Sequence, residues 1–137
     1  MKNLLTNDTD IKTLLKTSKT IAVVGLSPDP AKPSYEVSAY LKSKGYKIVP
    51  VRPGAEEILG EKVYASLSEI PFPIDIVDIF RQRDAIPGVV DEAIKIKAKA
   101  VWMQLGLSHD DAAQKASDAG LKVVEDRCLL IEHKKLL

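Results

Sequence analysis

Short continuous apolar runs alternate along this chain with longer stretches whose apolar positions recur at helical spacing. The runs at residues 20–26, 47–51, 74–80, 100–104 and 121–125 predict strands. The first is a continuous apolar run, as expected for a strand buried on both faces of a parallel sheet. Between them, helices are predicted over 33–44, 86–97 and 109–119, with another at 128–137. The stripe Val37, Tyr40 and Leu41 marks the first, and Val89, Val90, Ala93 and Ile94 the second. Gly45 and Gly120 are placed as C-terminal stops. Asp8 is a candidate N-cap for a short opening helix through Ile11, Leu14 and Leu15. The segment 55–63 is less regular. Glu56 to Leu59 is read as one helical turn ending at Gly60. Ser66 and Glu69 have capping-box spacing, closed by Pro71 and Pro73.

Strands alternating with helices imply right-handed βαβ units. The expected fold is α/β, a three-layer domain with a parallel sheet and helices on both faces. A length of 137 residues suits one domain, residues 1–137, with its own core. Ligands in such sheets bind beyond the carboxyl ends of the strands, so the loops after Leu26, Val51, Phe80, Gln104 and Glu125 carry the chemistry.

The first of those loops is the most telling. Ile21-Ala22-Val23-Val24-Gly25 runs through Leu26-Ser27-Pro28-Asp29-Pro30-Ala31 into Lys32-Pro33-Ser34 at a helix start. Gly25 allows close backbone approach, Ser27 offers a hydroxyl and Lys32 a cation. Free amides near Ser34 and Tyr35 suit a phosphate. The plainer reading is a strand-to-helix turn in which Gly25 serves geometry alone. The loop lacks the G-x-G-x-x-G dinucleotide fingerprint, since Gly25 is its only glycine.

The second loop, Val51-Arg52-Pro53, lacks the acid that NAD-binding folds place there for the ribose hydroxyl, and carries a cation instead. Arg52 suits an extra ribose phosphate, which both NADP and coenzyme A possess. A solvated surface arginine is the alternative. The third loop adds Arg81 and Arg83, as pyrophosphate contacts or an exposed basic turn. The fourth places Gln104 and Gly106 on the same rim, with Trp102 and Met103 read as core.

Charge and composition narrow the partners. A net charge of +1 and 5% aromatic residues give no basic or stacking surface for nucleic acid. No apolar run approaches the ~20 residues of a membrane span, and none at the N-terminus resembles a signal peptide. The single cysteine, Cys128, excludes an internal disulfide and fits a reducing compartment. A cytoplasmic protein without nucleic-acid or membrane partners is the expectation.

No catalytic or metal-binding constellation emerges. His109 is read as a surface residue at a helix start, and Cys128 as an inert thiol near the ligand rim. Asp75 and Asp78 lie three apart on a strand and face opposite sides, so they do not pair.

The chain resembles the small stand-alone CoA-binding-domain proteins, similar to the CoA-binding domain of the succinyl-CoA synthetase alpha subunit. The resemblance rests on Val24-Gly25-Leu26-Ser27-Pro28, Val49-Pro50-Val51-Arg52-Pro53, Val77-Asp78-Ile79-Phe80-Arg81, Ala98-Lys99-Ala100-Val101-Trp102-Met103-Gln104 and Asp126-Arg127-Cys128-Leu129 in order. It implies a Rossmann-like fold whose five-stranded parallel sheet has the order 3-2-1-4-5. It also implies coenzyme A or an acyl-CoA as ligand. Gly25, Leu26, Ser27, Pro28 and Lys32, Pro33, Ser34 would then meet phosphates. Arg52 and Pro53 would flank the adenosine, and Phe80 and Arg81 would line the adenine side. Arg52 stands where this family more often has asparagine. The synthetase's phosphorylated histidine lies in a second domain that these residues do not include. Binding without catalysis is therefore expected, alone, as a homodimer or beside a partner enzyme. A small NADP-binding oxidoreductase or sensing domain is the alternative.

Overall fold

The chain opens with helix α1, Asp8–Thr17, in a computed structural model that describes residues 1–137. Its N-cap is Asn7, one residue before the expected Asp8, because the Asn7 side chain accepts the Asp10 N–H at 2.9 Å. Strand β1, Thr20–Val24, is followed by α2, Pro33–Ser43, and β2, Lys47–Val51. A two-residue hairpin, β3 at Glu57–Ile58 and β4 at Glu61–Lys62, precedes β5, Ile76–Ile79. Helix α3, Ile86–Lys95, leads to β6, Ala100–Met103. Helix α4, Asp110–Asp118, leads to β7, Lys122–Val124, and α5 closes the chain at Leu129–Leu136.

The hairpin replaces the helical turn expected at Glu56 to Leu59. Leu59 and Gly60 both have positive φ, 57° and 73°, which a right-handed helix excludes and a two-residue hairpin turn requires. The Ser66–Glu69 capping box forms as expected, around a 3-10 turn at Leu67–Glu69.

Five parallel strands make the main sheet, in the order β2-β1-β5-β6-β7. Counted along the chain this is 2-1-3-4-5, which departs from the expected 3-2-1-4-5. The position outside β2 is held only by Tyr64, in a single parallel bridge to Val51. The chain then turns at Ser66 before a strand can extend, and the third full strand pairs with β1 instead. Counting the Tyr64 bridge as a rudimentary third strand restores 3-2-1-4-5, with β7 as a sixth.

The strand residues supply both faces alternately. Ile21, Val23, Ile76 and Trp102 meet α1, α2 and α5 through Ile11, Leu15, Leu41 and Leu129. Ala22, Val77, Val101 and Met103 meet α3 and α4 through Val90, Ala93, Ala113 and Ala116. Trp102 and Met103 are fully buried on opposite faces, as expected, and the Trp102 indole donates to the Arg127 carbonyl at 2.8 Å.

The amino ends of the strands are tied down. Asp75 accepts the N–H groups of Lys19 and Thr20 at 2.8 and 3.0 Å. The Tyr46 hydroxyl donates to the Leu15 carbonyl, and His133 Nδ1 meets the Tyr40 hydroxyl at 2.7 Å. Burial, then nearby Lys44, holds His133 below its ordinary value of 6.5. The unfolded chain therefore takes up this proton first, and stability falls as pH drops through 6.5 towards the lowered value. NMR titration of His133 should give a midpoint below 6.5, with the thermal midpoint of the wild type falling over the same range. A midpoint at or above 6.5 would contradict the burial argument.

Candidate functional site

Two connections diverge at the centre of the sheet. From β1 the chain crosses through α2 to β2, and from β5 it crosses through α3 to β6, on the other side. A crevice opens between the carboxyl ends of such strands. Here it is a cleft of about 1110 Å³, and eight of the predicted residues line it: Gly25, Ser27, Lys32, Pro33, Ser34, Phe80, Arg81 and Gln104.

Gly25 sits at its base with φ of 89°. A Cβ there would lie 2.2 Å from the Phe80 carbonyl oxygen and 3.0 Å from Arg81 Cδ. The first and third loops thus approach to a distance that only glycine permits. Beyond Gly25 the loop is held by its own polar groups. Ser34 Oγ accepts the Ser27 N–H, Ser27 Oγ accepts the Asp29 N–H, and Asp29 accepts the Ala31 N–H, each at 3.0 Å.

Pro33 begins α2, as suits a residue with no N–H to satisfy. The Tyr35 N–H bonds the Lys32 carbonyl. This corrects the expectation of two free amides: Ser34 N–H alone is left without an acceptor in the first turn. Lys32 and Arg81 are exposed and take part in none of the chain's ion pairs. An amide, a hydroxyl and two cations therefore converge over Gly25, an arrangement suited to a phosphorylated ligand. Asp84, on the turn after Arg81, is the acidic group on the same rim.

Four predicted residues lie off the cleft walls. Leu26 is fully buried in the core and does not line the cleft. Pro28 and Pro53 are exposed. Arg52 is half-buried behind the first loop, its Nη1 donating to the Leu26 carbonyl at 3.4 Å and its Nε buried without a partner. Arg83 bonds the Ser108 carbonyl and bridges two loops. His109 caps α4 by accepting the Ala112 N–H at 3.1 Å, in line with its reading as a helix-start residue.

On the far wall Leu105, Leu107 and Ile131, which carry no sequence signal of a site, join the half-buried thiol of Cys128, expected near the ligand rim. Asp78, excluded above from a carboxylate pair, has a setting of its own. This carboxyl is fully buried in β5 and accepts the Gln104 Nε2–H at 2.6 Å, while its second oxygen has no partner. Burial pushes its pKa up to about 8, with the Gln104 bond pulling the other way. An unpaired charge in this core would cost several kcal/mol, so the neutral acid prevails near pH 7.

No helix is long and apolar enough to cross a membrane, and no cluster of His, Cys, Asp and Glu is arranged to hold a metal.

A family model described as a CoA binding domain matches residues 19–134. The chain is 43% identical over 124 residues to the uncharacterized protein YneT of Bacillus subtilis, covering 90% of this chain and 92% of that one. It is 33% identical over 110 residues to acetate–CoA ligase [ADP-forming] II of Archaeoglobus fulgidus, covering 78% of this chain but 16% of the ligase. A solved structure of a hypothetical protein from Pyrococcus horikoshii superposes with a TM-score of 0.93 at 41% identity, over 96% of this chain and 92% of that one. These relatives lend no support to the NADP reading.

Gly25→Ala should destabilise by about 2–4 kcal/mol in urea denaturation, combining strained φ with overpacking against backbone. Gly45→Ala is the control, since it shares positive φ and has nothing within 4 Å of its Cβ. Equal losses would remove the close-approach argument.

Asp78 is tested by pH. Its folded pKa lies above the ordinary 3.8, so its contribution is complete below 3.8 and is lost as pH rises to about 8. Asp78→Asn should therefore gain stability relative to the wild type between pH 5 and pH 9. A difference between the two proteins that does not vary with pH would show that Asp78 does not titrate there.

Proposed function

The chain belongs to the CoA binding domain family, and on that premise we propose that it binds coenzyme A or an acyl-CoA in the cleft over Gly25. The observation that carries this reading is the convergence of Ser34 N–H, the Ser27 hydroxyl, Lys32 and Arg81 on one side of a close loop–loop contact. Together they suit the pyrophosphate of the ligand. Arg52, half-buried behind the same loop, is the cation this reading assigns to the ribose 3′-phosphate. Pro53 flanks the adenosine, and Phe80 packs on the adenine side. Gln104 lies where the pantetheine arm would leave the phosphates.

Binding is the whole activity in this reading. Neither histidine lines the cleft: His109 is committed as a helix cap and His133 is bonded to Tyr40 at the opposite end of the strands. This chain covers only 16% of the curated ligase relative, so the ligase's reaction is not carried over to it. The module would hold CoA, or present it to a partner enzyme, in the cytoplasm.

Calorimetry with CoA, dephospho-CoA, NADP and NAD tests this. CoA should bind, and loss of the 3′-phosphate should weaken binding by roughly 1.5–3 kcal/mol, the worth of a charge-assisted contact. Binding of NADP without CoA would end the proposal. Equal affinity for CoA and dephospho-CoA would remove the role given to Arg52.

A further inference from the structure

Apart from the terminal residues Met1 and Leu137, the only exposed large apolar side chains of the chain are Leu105 and Ile131, at 65% and 53%. Scattered singly over a surface, such residues need no explanation. These two are not scattered. Both line the same cleft, Leu105 from the loop after β6 and Ile131 from the first turn of α5. Leu107, Val37 and the Cys128 thiol join them there. The cleft is thus divided. Its β1–β5 end carries Lys32, Ser34 and Arg81, and its β6–α5 end carries Leu105, Leu107 and Ile131 beside Gln104.

A phosphate end continuous with an apolar end fits a ligand that is itself anionic at one end and apolar at the other. Free CoA ends in a thiol and brings no acyl group to set against Leu105 and Ile131. A thioester with an aliphatic acyl group would cover them. Resting on the CoA reading, we propose that the β6–α5 end of the cleft is an acyl subsite, and that the ligand is a CoA thioester with an aliphatic acyl group. Gln104, next to Leu105 in the chain, is held by Asp78 and is the polar side chain at that end.

The test is calorimetry of the full chain with adenosine 3′,5′-bisphosphate, CoA, acetyl-CoA, butanoyl-CoA and octanoyl-CoA. Affinity should rise with acyl length by roughly two- to fourfold per methylene while the chain remains in the cleft, the upper figure being that of full burial. Leu105→Ser and Ile131→Ser, at exposed positions, should bring the ratio of octanoyl-CoA to CoA affinity down towards one. Equal affinity for CoA and octanoyl-CoA overturns the subsite, as does chain-length dependence that survives both substitutions. Sedimentation measures the competing occupant: self-association abolished by Leu105→Ser, without acyl dependence, would assign the patch to a second copy. If neither CoA nor the bisphosphate binds, the CoA reading falls and the subsite with it. CoA binding without acyl dependence removes the subsite alone.

Discussion

The cleft depends on the meeting of two loops at Gly25. The Phe80 carbonyl occupies the space where any other residue would carry its Cβ, 2.2 Å from the ideal position. Because β1 and β5 are neighbours whose crossovers leave in opposite directions, the central crevice opens between their ends. Close contact at the base sets how near Arg81 comes to Lys32 and Ser34 above it. If the loops spread, each polar group would remain, but they would no longer address one anion.

The two ends of the sheet are built on opposite terms. At the amino ends, Asp75, Tyr46 and His133 form hydrogen bonds between distant parts of the chain. At the carboxyl ends the first loop is bonded within itself: Ser27, Asp29 and Ser34 satisfy one another, and Lys32 and Arg81 are left unpaired. A group left unpaired near the cleft costs little while water reaches it, and it is available to a ligand without first breaking a protein contact.

Continuous apolar runs made the strands legible, because burial on both faces leaves little else they could be. Pro33, Gly45 and Gly120 marked helix limits for reasons of backbone geometry alone. The first loop was legible through Gly25 and the cations that follow it. The hairpin was not, since its turn requires positive φ at Leu59, a residue whose type gives no such signal. Strand order was misjudged because it depends on where a connection stops pairing. Only one residue, Tyr64, reaches β2 before the Ser66 turn takes the chain away. The far cleft wall escaped for a different reason: Leu105 and Ile131 look like core residues in any window of sequence, and only the fold shows that they are exposed.

Asp78 shows why a polar residue in a buried strand deserves a reading of its own. Its spacing from Asp75 correctly excluded a paired-carboxylate site, and that left it without a role. In the sheet its neighbours in register are Val23 and Trp102, so nothing on the strands themselves satisfies it. Gln104, at the end of β6, does, and in doing so it is drawn below the cleft surface to 4% exposure. An aliphatic residue at 78 would pack as well and avoid the desolvation of a carboxyl. Burying the acid is therefore an expense in stability whose structural return is a Gln104 side chain with one orientation. That return falls on the wall of the cleft, which Gln104 lines.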